Sequence, residues 1–167
     1  MTQAPARWPL ALLAAAVLAA DQASKYAVSR LTLPGSLRVL VPGLLNLVHT
    51  SNPGVAFGLL ADSNASWRTP LLIVFSVGVM SAIVWALATG RAGGGLSSYG
   101  MALILGGAMG NLLDRLLHRS VTDFIDFHLG AYHWYTFNVA DSAIVVGAAL
   151  VILELLRDTR RHRQEKA

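Results

Sequence analysis

Four long apolar stretches alternate along the chain with shorter segments that are polar or broken by proline and glycine. Trp8–Ala20 is unbroken after Arg7, and Pro9 falls where the first turn of a helix tolerates it. Alone it is shorter than the roughly 20 apolar residues that a spanning helix needs. With one positive charge, an apolar core and small residues at Ala19–Ala20, it also has the outline of a cleavable secretory signal. Helical residues nevertheless continue without a breaker through Asp21–Val28. Asp21 and Lys25, four apart, share a helix face on which they can pair. The pattern predicts a first span over Trp8–Leu31 with polar outer turns.

Thr69–Thr89 has no charged residue and is the cleanest second span. Arg91 and Gly93–Gly95 form a short link to a third, Ser97–Leu117. Its Gly106, Gly107 and Gly110 allow close helix approach, with Gly106 and Gly110 in a GxxxG pattern of weak specificity. Phe137–Leu155 is a fourth. Between the first and second spans, Thr32–Arg68 is punctuated by Pro34, Gly35, Pro42, Gly43, Pro53 and Gly54. The short apolar runs Leu37–Val41 and Leu44–Val48 predict strands, and hence a small sheet or cradle outside the bilayer. In Asn52–Gly58 a potential turn lies beside Phe57, where Gly54 and Gly58 permit close backbone approach. Leu116–Phe137 reads as a second external segment, a loop, with His118, His128 and His133.

Composition turns this helical pattern into a membrane protein. Hydrophobic residues make up 54% of the 167 and charged ones 13%, about half the globular average. The length suits one domain. A formal charge of +4 would suit nucleic acid, but its distribution excludes that partner. Arg157, Arg160, Arg161, Arg163 and Lys166 crowd the tail over 156–167, where positive charge marks the cytoplasmic side. Four spans put both termini there, with Arg7 and Arg91. Arg30, Arg38, Arg68 and Arg119 fall on the other side, so the charge rule is obeyed as a bias. Cysteine is absent, which excludes disulfides, thiolate metal sites and a cysteine nucleophile.

This topology brings Asp21, Asn52, Asn111, Asp114, Asp123, Asn138 and Asp141 near one outer membrane surface, where a single site can collect them. Ionisable groups at span ends are costly and usually functional. Two carboxylates in one site cannot both ionise cheaply, so one can activate a water while its protonated partner serves a scissile amide. Asp123 and Asp141 are candidates for such a pair, and Asp126, three residues beyond Asp123, is a rival that local physics does not separate. Each has a plainer reading. Asp141 can serve the dipole of the fourth helix, and Asp123 can cap a short helix beginning at Phe124. Asp114 and Arg115 point to different helix faces and read as structural. Asn111 and Asn138 suit the orientation of carboxylates or a peptide backbone. The histidines lack metal-ligand spacing and read as interfacial, so neither metal nor cofactor is expected.

Five blocks spread from the first span to the fourth carry a family resemblance. They are Asp21-Gln22-Ala23-Ser24-Lys25, Asn52-Pro53-Gly54-Val55-Ala56-Phe57, the run Gly106–Arg115, Val121-Thr122-Asp123-Phe124 and Phe137-Asn138-Val139-Ala140-Asp141-Ser142-Ala143. In this order they resemble the lipoprotein signal peptidases, or signal peptidase II. The resemblance implies an all-α integral membrane aspartic endopeptidase of the bacterial inner membrane, with four transmembrane helices, a periplasmic β-cradle and a second periplasmic loop. It implies removal of the signal peptide from diacylglyceryl-modified prolipoproteins just before the lipidated lipobox cysteine. By motif position Asp123 and Asp141 correspond to the catalytic pair. Asp21, Lys25, Asn52, Gly54, Asn111, Arg115, Asn138 and Ala140 match positions that support the site or contact substrate, and Asp114 looks structural. His49-Thr50-Ser51 stands where many members have an aromatic residue, which bears on contacts at that edge and not on the chemistry. Membrane lipids are the other expected partner, and a monomer is expected.

A non-enzymatic class competes with this one. A four-span transporter subunit or assembly factor would carry ionisable groups nearer mid-span, yet none falls inside Thr69–Thr89 or the middle of Ser97–Leu117.

Overall fold

The computed structural model describes residues 7–53 and 67–164, with side chains up to residue 160. Eight elements follow one another: α1 (Arg7–Leu31), β1 (Leu37–Val41), β2 (Leu45–Asn52), α2 (Arg68–Ala88), α3 (Gly95–His118), β3 (Val121–Leu129), β4 (Tyr132–His133) and α4 (Val139–Gln164). α2, α3 and the Val139–Arg160 part of α4 are long and apolar enough to cross a membrane. α1 is a continuous helix of 25 residues, about 37 Å at the usual rise per residue. Asp21, Gln22 and Lys25 make its C-terminal half polar, and Asp21 and Lys25 are buried.

α3 is the central helix, packed most extensively on α4, then on α1, and least on α2. Glycine makes this possible on two of its faces. A Cβ at Gly106 would lie 2.5 Å from the Ala14 carbonyl oxygen of α1, and one at Gly110 would collide with the Asp21 carboxylate. On the other face, a Cβ at Gly107 would collide with the Ala140 carbonyl. Gly100 and Gly147 each lie where a Cβ would meet the other's carbonyl oxygen at 2.5 Å. The GxxxG pair thus faces α1, while Gly100 and Gly107 admit α4. α2 leaves Leu71, Val74, Phe75 and Trp85 exposed, an apolar surface of the kind that lipid covers.

The four strands form one antiparallel sheet in the order β1-β2-β3-β4. β2 pairs with β3 from Leu45↔Phe127 to Asn52↔Val121, with a register shift between Leu47 and Thr50. The strands expected in Thr32–Arg68 are present. The segment Leu116–Phe137 corrects the reading as a loop, because β3 lies in the interior of the sheet between β2 and β4. Its inward positions are filled by Asp123, Asp126 and His128 as well as Val121 and Phe124, so the apolar alternation that signals a strand is missing. Phe124 therefore starts no helix, and Asp123 caps none. α4 also outruns its expected end at Leu155 to Gln164, since the basic residues beyond Leu155 are good helix formers with no breaker among them.

Candidate active site

The site lies where the C-terminal end of α3, the start of α4, the C-terminal half of α1, the end of β2 and the start of β3 converge. Asn138 is fully buried and stands immediately before α4. Its side-chain oxygen accepts the Asp141 N–H at 3.0 Å, and the Asp141 carboxylate accepts the Asn138 N–H at 3.2 Å. This reciprocal arrangement is a capping box, which satisfies two backbone donors left over at a helix N-terminus. The plainer reading of Asp141 is therefore correct as far as it goes: one of its oxygens serves the helix end. Its other oxygen accepts a 2.8 Å hydrogen bond from the Asn111 amide.

Asp123 arrives from β3 and is almost completely buried. Asn138 donates to one of its oxygens at 2.7 Å, and Asn52, at the end of β2, donates to the other at 3.0 Å. Burial pushes the Asp123 carboxyl up to about 6. The hydrogen bond from Asn52 opposes that rise, and the charge of Asp141 adds to it. The charge of Asp141 thus reaches Asp123, and the two aspartates share Asn138 as a hydrogen-bond partner.

Beneath this pair lies an ionic lock joining α1 to α3. The Lys25 ammonium reaches Asp21 at 2.7 Å, Asp114 at 3.0 Å and the Asn111 side-chain oxygen at 3.0 Å. All four groups are buried, so each charge needs these partners. Asp21 also accepts the Ala140 N–H at 2.9 Å, which ties α1 to the first turn of α4. Asp114 accepts the Thr122 N–H at 3.2 Å, which sets the start of β3 one residue before Asp123. Arg115 points elsewhere, as sequence neighbours on a helix must. Its Nη1 donates to the Asn111 carbonyl at 3.1 Å, and its charge interacts with Asp141, Asp123 and Asp114.

Nine of the sequence-predicted positions therefore belong to one connected network with Arg115 at its edge. Gly54 lies outside the described residues. Asp126 does not join the network. It is held on the sheet by Asn46 at 2.8 Å and by His133 at 2.9 Å. Burial works against ionisation there, but these hydrogen bonds and the nearby histidines hold its carboxyl below the usual range. Gln22 had no role in the sequence reading beyond its place in a motif. Its amide donates to Asp21, to the Gly110 carbonyl and to Asp114, each within 3.2 Å. The signal was its position beside Asp21 on the polar end of α1. Among the described residues no cluster of three or more His, Cys, Asp or Glu could hold a metal ion.

The arrangement offers a buried carboxylate, Asp123, beside a half-buried one, Asp141, oriented by amides and set at the end of membrane-length helices. That is suited to acid–base chemistry on an amide bond. Comparison with known proteins points the same way. The family described as Signal peptidase (SPase) II matches residues 13–157, which include both aspartates and every residue of the network. The chain is 43% identical over 159 residues to the lipoprotein signal peptidase of Solibacter usitatus, covering 93% of this chain and 94% of that one. It is 44% identical over 156 residues to that of Cupriavidus taiwanensis, covering 92% and 87%. A solved bacterial membrane enzyme superposes with a TM-score of 0.81 at 28% identity, over 95% of this chain and 94% of the other. With a family match across the site and relatives this similar along nearly their whole length, the chain belongs to the signal peptidase II family.

Proposed function

We propose that this protein is a membrane aspartic endopeptidase that removes the signal peptide from diacylglyceryl-modified prolipoproteins, cutting just before the lipidated cysteine, with Asp123 and Asp141 as its catalytic pair. The observation that carries this reading is the bridge through Asn138, whose side-chain amide donates to Asp123 while its backbone N–H donates to Asp141.

The ionised aspartate takes a proton from a water whose oxygen attacks the scissile carbonyl carbon. The protonated aspartate donates to the carbonyl oxygen, and proton return to the departing nitrogen allows the C–N bond to break. The shared proton is a property of the pair. Asn52, Asn111 and Asn138 orient the carboxylates, and Arg115 tempers the negative charge that develops among them. Asp21, Lys25 and Asp114 lock α1, α3 and α4 in register, the last through the Ala140 N–H. Gly54 allows a substrate backbone to approach closely. No cofactor is required.

The whole chain acts as one membrane-embedded domain and as a monomer. α1 is the first of four spans with α2, α3 and α4, both termini are cytoplasmic, and the sheet and site face the periplasm at the inner membrane. Each buried acyl carbon of the substrate contributes about 0.8 kcal/mol to membrane anchoring, so the substrate stays in the bilayer and the dyad must meet it at membrane depth.

A gel-shift cleavage assay tests the reading, with purified protein in micelles given a prolipoprotein with and without its diacylglyceryl group. Cleavage of the lipidated form alone, lost in both Asp123→Asn and Asp141→Asn while the variants remain folded, is the expected result. Survival of cleavage in either variant would remove that aspartate from the pair.

A further inference from the structure

We infer that the β3–β4 hairpin is a membrane anchor whose exposed aromatic side chains sit in the headgroup layer of the leaflet that α4 enters. Residues 127–137, FHLGAYHWYTF, hold five of the chain's thirteen Phe, Trp and Tyr residues and no Asp, Glu, Lys or Arg. They point outward: Leu129 is 62% exposed, Tyr132 66%, Trp134 53% and Tyr135 58%. Tyr and Trp, each with an apolar body and a polar tip, favour the membrane–water interface over either bulk phase.

Two further observations assign this surface to lipid. The first is continuity with the helices. α4 begins at Val139 and is long and apolar enough to cross a membrane. Val139 lies four residue steps beyond Tyr135, a reach of at most ~14 Å. The segment is also pinned beside that helix start. Trp134 N–H donates to the Phe127 carbonyl at 2.8 Å, and Phe137 and Ile125 exchange backbone hydrogen bonds at 3.0 and 2.9 Å. The second is the handling of charge. The nearest carboxylate, Asp126, is buried and tied to Asn46 and to His133, whose ring stacks on His128 with centroids 4.7 Å apart. The hairpin therefore presents no exposed carboxylate to an anionic lipid surface. This inference shares with the proposed function only the entry of α4 into the membrane, and its test does not depend on cleavage.

The chain has no cysteine, so Ala131→Cys at the exposed hairpin turn gives a unique site for a nitroxide label. The labelled protein would be reconstituted in phosphatidylethanolamine–phosphatidylglycerol vesicles. Collision of the label with oxygen, which concentrates in the bilayer, would be compared with collision with a water-soluble nickel chelate. The expected result is a preference for oxygen that shifts toward the chelate when Tyr132→Ser and Trp134→Ser are added. A label that favours the chelate from the outset would overturn the inference. So would shielding from both reagents, which would mean that protein covers the hairpin, or a preference unchanged by the two serines.

Discussion

Asn138 donates a 2.7 Å hydrogen bond to Asp123 while capping the helix that carries Asp141. One side chain therefore sets the orientation of a strand carboxylate and the end of a helix. Asn138→Ala is expected to cost about 1–3 kcal/mol of stability through the lost cap and the unsatisfied groups left behind. Misplacement of the pair should slow cleavage by roughly 100-fold. Thermal unfolding and cleavage rate on one preparation check both, and a variant as fast as wild type would deny Asn138 its positioning role.

Asp123 imposes a pH dependence whose sign follows from its raised pKa. The fold prefers the neutral carboxyl, so its contribution is fully present below the unfolded value of 3.8 and is lost as pH rises through about 6. The loss amounts to about 3 kcal/mol at one pKa unit per 1.36 kcal/mol. Denaturation followed between pH 4 and 7 should show this decline in the wild type and a flatter profile in Asp123→Asn. Parallel profiles would place the titration on another group.

Gly107 separates α3 from the first turn of α4, and any Cβ there collides with the Ala140 carbonyl. Gly107→Ala should push α4 outward, costing about 1–3 kcal/mol and displacing Asp141 from Asn111. Gly78→Ala on α2 is the control, because a Cβ there meets nothing within 4 Å. Equal thermal stability of the two variants would show that the helices separate without strain.

The single ammonium of Lys25 pairs with two buried carboxylates at once. Lys25→Met should destabilise the protein by about 3–5 kcal/mol, since it leaves Asp21 and Asp114 without their cation. Adding Asp114→Asn should recover part of that loss. A double variant no more stable than Lys25→Met would mean that packing of the lysine stem, and not charge, accounts for the effect.

Asp126→Asn separates the two aspartates of β3. Cleavage should persist, because Asp126 bonds to Asn46 and His133 and touches nothing in the Asp123 network. The half-exposed His133 limits the stability loss to about 1 kcal/mol. Because the Asp126 pKa is depressed, its contribution is present at neutral pH and disappears on acidification. Loss of cleavage in a folded Asp126→Asn protein would reopen the choice between Asp123 and Asp126.

Much of this was legible along the chain. The length and purity of Thr69–Thr89 announced a helix suited to a membrane, and the i,i+4 spacing of Asp21 and Lys25 announced their pairing. Prolines and glycines between short apolar runs announced β1 and β2. Each is a local property, set by the period of side chains on a helix or strand and readable within a window of some ten residues. β3 escaped because its inward face carries carboxylates and a histidine. Their burial is stabilised by partners from β2, β4 and Asn138 at the start of α4, which no local window contains.

For polar residues far apart along the chain, the tertiary structure decided which hydrogen bonds form. Asp123 and Asp126 have nearly the same sequence surroundings, yet the register of β2 against β3 turns one toward Asn52 and Asn138 and the other toward Asn46 and His133. Likewise the two glycine faces of α3 bring α1 and α4 close enough for Asp21 to accept the Ala140 N–H. Sequence determined the elements because propensity and periodicity act over neighbouring residues. The site was left to the fold because hydrogen bonds between buried groups act over about 3 Å in space, whatever their separation along the chain.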